Sequence, residues 1–130
     1  MKNDLIEDCV SVFKQGSELL QTIDSKDIYA HIGAHFRHCF DFVDCLILGI
    51  ENGKIDYNKR ERNLQVETDC KTGLAKIDET IEMLKTLAVL DFSQTILVRH
   101  ERASDVTDEK SWCVSTLARE VEFLQSHTVH

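Results

Sequence analysis

The sequence contains no proline and only five glycines among its 130 residues. Proline interrupts helices, and proline-rich or glycine-rich stretches form linkers, so their scarcity excludes a collagen-like repeat and favours long uninterrupted helices. Long apolar runs are also missing, since the longest is Cys45–Ile50 and a bilayer-spanning helix needs roughly 20 apolar residues. We therefore expect a single domain over residues 1–130 that makes no membrane contact.

The sequence also has few basic residues: it contains 15, against 23 acidic ones, and its formal net charge is −8. This is the wrong sign for holding a phosphate backbone, so nucleic acid is not an expected partner. The five cysteines form no C-x-x-C pair, and Met1–Asp4 is polar rather than a secretory leader. We expect reduced thiols in a cytoplasmic protein, with Cys39 and Cys45 filling the core.

Apolar residues recur at steps of three and four in four segments, the pattern of amphipathic helices. The first helix is predicted to end within residues 22–25, and the second to cover Ile28–Glu51 and stop at Asn52-Gly53. The apolar line of the third spans Cys70–Ala88, and the last begins at Ser115 or Thr116. Because neighbouring helices must cover each apolar face, the sequence predicts an all-α fold, an up-and-down four-helix bundle.

A small β-hairpin is predicted between the third and the last helix. The β-branched and apolar segment Thr95–Val98 is followed, after a polar stretch, by Lys110–Ser115, which is typical of two paired strands. Trp112 is expected to anchor this hairpin on the bundle. The charged, aperiodic segment Lys54–Arg62 is predicted to be a loop between two long helices.

The histidines are concentrated on two of the predicted helices. His31, His35 and His38 share one face of the second helix, and His127 and His130 share one face of the last. Paired imidazoles at this spacing can bind one divalent ion, as they do in metal sites inside helical bundles. The alternative is a set of solvated or hydrogen-bonded histidines, a description that fits His31 best.

Four stretches in this order resemble the DinB-like superfamily: Ile32–His38, Ile55–Arg62, Glu67–Asp69 and Leu117–His130. The resemblance spans most of the chain from around Ile28 onward. It implies a four-helix bundle in which one histidine of the second helix and an H-x-x-x-H pair of the last helix hold nickel, zinc or iron.

By position in the motif, the resemblance makes His38 the ligand on the second helix and His127 the first ligand on the last. The partner of His127 would fall at position 131, so the pattern is incomplete in this sequence. We expect a chain cut short of its third ligand; the alternative is that His130 takes this place with a rotated side chain. His35 is an alternative ligand, or a residue that orients one.

A metal ion held by histidines with an open coordination position can activate water or hold a thiolate. The resemblance accordingly implies a metal-dependent hydrolase or thiol S-transferase acting on a small molecule. The alternative, from a different class, is a non-catalytic bundle for self-association as a homodimer or for partner binding, with a vestigial metal site. Metal analysis of the purified protein separates the two.

Further candidate residues lie outside the histidine clusters. Glu67 continues the apolar line of the third helix, which aims its carboxylate at the interior as a general base or as the orienter of a ligand histidine. An ion pair with Arg60, Arg62 or Arg119 is the simpler role. Tyr57 and Arg60 are expected at the pocket mouth, although a tyrosine in such a loop can simply pack against the bundle end.

Overall fold

The computed structural model describes residues 2–23, 26–57, 68–99 and 112–129. Most of this described part is helical, which confirms the predicted helical class, and no helix in it is long and apolar enough to span a membrane. Its elements in chain order are α1 (Lys2–Gln21), α2 (Lys26–Asn52), β1 (Lys54–Asp56), α3 (Cys70–Lys85), a 3₁₀ turn (Thr86–Val89), β2 (Thr95–Arg99), β3 (Cys113–Thr116) and α4 (Leu117–Val129).

The three strands of the described part form one sheet in the order β1-β2-β3. β2 and β3 are antiparallel, with Val98 opposite Cys113, so the hairpin predicted between the third and the last helix is confirmed. β1 pairs parallel to β2, and the prediction of a loop is therefore wrong for Lys54–Asp56. This strand has three residues and one buried side chain, Ile55, too few for an alternating pattern to stand out.

A tight reversal joins α2 to β1. Gly53 follows the last residue of α2 with φ 73°, the left-handed conformation that the Asn52-Gly53 pair predicts. The reversal folds β1 back onto the final turn of α2. At Gly49 the two backbones come so close that an added Cβ would lie 2.6 Å from the carbonyl oxygen of Lys54.

The core contains most of the apolar lines that the sequence predicts. The line on α3 ends differently, because the α-helix gives way to a 3₁₀ turn after Lys85. The tighter winding of this turn buries Leu87 and leaves Ala88 exposed, so the prediction that Ala88 closes the apolar line is wrong. Buried members of the other three predicted lines are Ile6, Cys9, Phe13, Leu20, Cys39, Val43, Leu46, Leu117, Val121 and Leu124.

Helices α1 and α2 each contact both α3 and α4. Leu20, near the end of α1, and Tyr29, near the start of α2, both lie against Gly73 near the start of α3. In the first half of α1, the thiol of Cys9 donates a hydrogen bond to the backbone oxygen of Val121 on α4, over 3.7 Å. These contacts link all four helices of the described part to one another.

Burial raises the pKa of the Cys9 thiol to about 12 and that of the Cys39 thiol to about 11. Desolvation is the main cause in both; the charge of Asp8 adds to it for Cys9, whereas a hydrogen bond with Thr128 partly offsets it for Cys39. Both thiols therefore keep their protons at neutral pH. Cys39 and Cys45 are buried, which confirms that they fill the core.

We expect the free energy of unfolding to fall as the pH rises above 9.0, the value at which a thiol ionises in the unfolded chain. The folded state still holds the Cys39 proton up to about pH 11, so the unfolded state binds fewer protons in this window. Each such thiol lowers the free energy of unfolding by about 1.4 kcal/mol per pH unit. Urea titrations between about pH 8 and pH 10.5 measure this slope.

The matched variants are Cys39→Ala, which should show a shallower slope than the parent, and Cys113→Ala, which removes an exposed thiol and should leave the slope unchanged. Equal slopes for the parent and Cys39→Ala would contradict the assignment of alkaline sensitivity to this buried thiol.

Candidate metal centre

The structure brings together His38 of α2 and His127 of α4, the two histidines that the sequence singles out first. Their Nε2 atoms are 2.8 Å apart, although 89 positions separate them in the chain. Both rings are half-buried, and their centroids are 4.9 Å apart. Two helices thus aim one imidazole nitrogen each at the same point.

This distance suits two kinds of pairing. Two imidazole nitrogens bound to one ion at about 2.1 Å each lie roughly 3.0 to 3.4 Å apart, depending on the angle between the bonds. The observed 2.8 Å is slightly shorter and equals that of a hydrogen bond in which one neutral ring donates and the other accepts. A rotation that moves either nitrogen by a few tenths of an ångström converts one arrangement into the other, so this donor pair fits a divalent ion.

Phenylalanine rings pack against the histidine pair. The ring centroid of Phe42 is 4.8 Å from that of His38 and 4.6 Å from that of His127. Phe123 stacks on His127 with centroids 5.4 Å apart and planes inclined by 21°. Because close packing restricts both imidazoles to few orientations, the two nitrogens are held together before any ion binds.

Tyr57 lies behind the ring of Phe42. It is only 2% exposed, so it does not line an open pocket mouth. Its ring stacks on Phe42, with centroids 4.9 Å apart. Its hydroxyl donates a hydrogen bond to Oε1 of Glu120 over 2.9 Å, and the hydroxyl of Ser115 donates to Oε2 of the same carboxylate over 2.7 Å. Tyr57 is therefore held by Glu120 and packs against Phe42.

Burial, followed by the negative charge of Glu120, raises the pKa of Tyr57 well above its usual range, so its hydroxyl remains a donor. Glu120 was not predicted as a member of this network. A signal was present, because Glu120 lies three residues after Leu117 and four before Leu124, on the buried face of α4. A carboxylate on an apolar helix face requires a buried partner, and here Tyr57 and Ser115 supply it.

The remaining predicted site residues are placed as follows. His35 is exposed; its Nε2 lies 3.8 Å from the sulfur of Cys39 and its ring packs edge-on against Phe36. Across the described ranges, no group of three or more His, Cys, Asp or Glu side chains could hold a metal ion. Glu67, Arg60, Arg62 and His130 lie outside the described residues, and Arg119 is exposed.

An ion pair ties β1 to the hairpin. A terminal guanidinium nitrogen of Arg99 lies 2.6 Å from Oδ2 of Asp56, and both side chains are largely buried. The ring of Trp112 packs on the same guanidinium, with its centroid 4.7 Å from Cζ. Trp112 also lines a small cavity whose other residues include Gly49 and Asn52 in the last turns of α2.

No protein-family model, no curated protein and no solved structure matches this chain. The class that the described residues define is a mostly helical protein with a small three-stranded sheet. Within the described residues, the arrangement with the clearest chemical use is the His38–His127 pair.

Proposed function

We propose that the chain binds a divalent metal ion through His38 and His127, within a four-helix bundle of the DinB-like type. The observation that supports this most directly is the 2.8 Å approach of two imidazole nitrogens from different helices. Nickel, zinc and iron all accept imidazole ligands. His130, three residues beyond His127, is the candidate for a third ligand, since residues at this spacing share a helix face.

The contacts between helices support a particular form of the proposed bundle. The end of α1 at Leu20 lies near the starts of α2 and α3, which favours α2 and α3 running opposite to α1. The first halves of α1 and α4 meet at Cys9 and Val121, which favours α4 running along α1. We propose this order in place of a strict up-and-down alternation; the long connections after α2 and α3 make it feasible.

The proposed activity is that of a metal-dependent hydrolase or thiol S-transferase acting on a small molecule. A bound ion with an open position supplies activated water or a site for a thiolate. The described residues supply the setting: Phe42 and Phe123 restrict the two imidazoles, and Tyr57, fixed by Glu120, holds Phe42 in place.

Self-association as a homodimer is the second candidate function. Large apolar side chains are exposed where α1 meets α2, with Leu19 51% and Ile28 54% exposed. A homodimer that buries these side chains would show twice the monomer mass in light scattering. Its stability would be indifferent to a metal chelator, whereas a strictly monomeric protein would contradict this function.

Metal titration tests the main proposal. Protein stripped with a chelator should bind zinc or nickel stoichiometrically in calorimetric titration, and His38→Ala or His127→Ala should each weaken binding by about a hundredfold or more, because even residues that only orient a ligand are worth 10- to 100-fold. His31→Ala is the matched control: it removes an exposed histidine from α2 and should leave the affinity unchanged. Absence of stoichiometric metal in the parent, or an equal loss in the control, would overturn the proposal.

A further inference from the structure

A groove of about 390 Å³ lies between α1, α2 and the end of α4. Its walls are mainly apolar, with Phe13 and Leu19 contributed by α1 and Ile32 and Phe36 by α2. Neither His38 nor His127 lines it. Its volume falls within the range of about 300 to 1,000 Å³ that small-molecule sites occupy. The groove thus has the size and lining of a site for an apolar molecule, separate from the metal centre.

Two imidazoles supply the polar end of the groove. His31 and His35 are four residues apart on α2, which places them as neighbours on one helix face, and both are exposed. Each neutral imidazole carries one N–H donor. Gln15 on α1 adds an uncharged amide to the lining. The Thr128 hydroxyl is already engaged, since it donates to the backbone oxygen of Leu124 over 2.7 Å, and the Cys39 thiol is buried.

The absence of acidic side chains sets this groove apart. The chain has a net charge of −8, and four other cavities in the described part of the chain are each lined by at least one carboxylate. Among its described lining residues, the groove between α1 and α2 has none. An anionic head group would therefore meet two imidazole donors here and no carboxylate in the lining. The carboxylates that line the four other cavities are, cavity by cavity, Asp69 in the first, Asp56 in the second, Glu18, Asp78 and Glu82 in the third, and Asp91 in the fourth.

We propose that this groove binds a free single-chain carboxylate, a medium-chain fatty acid in its chemistry. The alkyl chain lies between Phe13 and Phe36, where it is removed from water. The carboxylate accepts hydrogen bonds from the imidazoles of His31 and His35, which are stronger than bonds between neutral groups. This binding needs no metal ion and is independent of the activity proposed above.

Calorimetric titration with octanoate, in the presence of a chelator, tests the proposal. Octanoate should bind with one-to-one stoichiometry, and 1-octanol, which has the same chain without the charge, should bind about tenfold more weakly. The double variant His31→Ala/His35→Ala should lose this preference while keeping its helical content. Equal affinity of the parent for the acid and the alcohol would overturn the assignment of the head group.

A blocking variant keeps the test independent of the histidines. Leu19 lines the groove and is 51% exposed, so Leu19→Trp fills the space without disturbing the core, and octanoate binding should fall by at least about tenfold. The matched control is Val89→Trp, at a site that is 88% exposed and away from the groove. If octanoate fails to bind the parent, or if Leu19→Trp binds it as the parent does, the proposal is wrong. A dimer that covers the groove and excludes octanoate would also overturn it.

Discussion

Replacing Gly49 with alanine is expected to lower the free energy of unfolding by more than about 3 kcal/mol. The added Cβ would lie 2.6 Å from the carbonyl oxygen of Lys54 and 2.7 Å from Cα of Ile55. Both are backbone atoms, so no rotation of a side chain relieves the overlap. The final turn of α2 and β1 would have to separate, and this opens the packing around Ile55, which is fully buried.

The matched control is the same substitution at Gly53, four residues along the chain. An added Cβ there meets nothing within 4 Å, and the only penalty is the left-handed φ of 73°. That conformation costs a non-glycine residue about 1 to 2 kcal/mol. Urea titrations of the two variants compare them directly. Similar losses at Gly49 and Gly53 would show that backbone crowding between α2 and β1 is not what limits this position.

The helices could be predicted because burial repeats along them with a helical period, and the end of α2 because glycine is favoured in the left-handed conformation that Gly53 adopts. The parallel strand β1 could not be predicted. Its residues Lys54–Asp56 pair with β2, about 43 positions away along the chain, and such long-range pairing leaves no local pattern in three residues. The exposure of Ala88 depends on a change of helix type, which apolar spacing does not encode.

Part of the candidate site could likewise be predicted from the sequence, and part could not. The helix positions of His38 and His127 indicate a shared site, because each lies in a histidine cluster on one helix face and helices of a bundle face each other. The Phe42–Tyr57 stack behind them could not be predicted, since it joins a helix to the chain after β1. The acidic position of Glu120 on an apolar face was a readable signal, whereas its partner Tyr57 lies 63 positions away.

The hydrogen bonds of Glu120 connect the small sheet to the histidine pair. Ser115 belongs to β3 and Tyr57 follows β1, so one carboxylate joins the two edge strands of the sheet to α4. Tyr57 in turn stacks on Phe42, whose ring contacts both histidines. The sheet therefore fixes Phe42, the ring against which the two imidazoles pack. Removing both acceptor oxygens of Glu120 should therefore lower the stability and disturb the geometry of the histidine pair.

We expect Glu120→Leu to lower the free energy of unfolding by about 2 to 4 kcal/mol, because the hydroxyls of Tyr57 and Ser115 lose their acceptor inside the protein. Tyr57→Phe removes the other partner of this hydrogen bond and leaves the Glu120 carboxylate, which is 5% exposed, with one donor fewer. It should lower the free energy of unfolding by about 1.5 to 3 kcal/mol. Glu120→Gln keeps an acceptor for Tyr57 and should cost less than either. The matched control is Glu122→Leu at an exposed position of α4, with an expected change within about 0.5 kcal/mol.

A double-mutant cycle decides whether Glu120 and Tyr57 act as a pair. In Tyr57→Phe/Glu120→Leu the acceptor and one of its donors are both gone, so the loss should be smaller than the sum of the single losses by about 1 to 3 kcal/mol. Additive losses would mean that the 2.9 Å contact contributes nothing to stability. Zinc titration of Glu120→Gln supplies a second measure: because the ring of Tyr57 stays in place behind Phe42, the affinity should remain within about threefold of the parent. A larger loss would mean that the charge of Glu120 itself acts on the histidine pair.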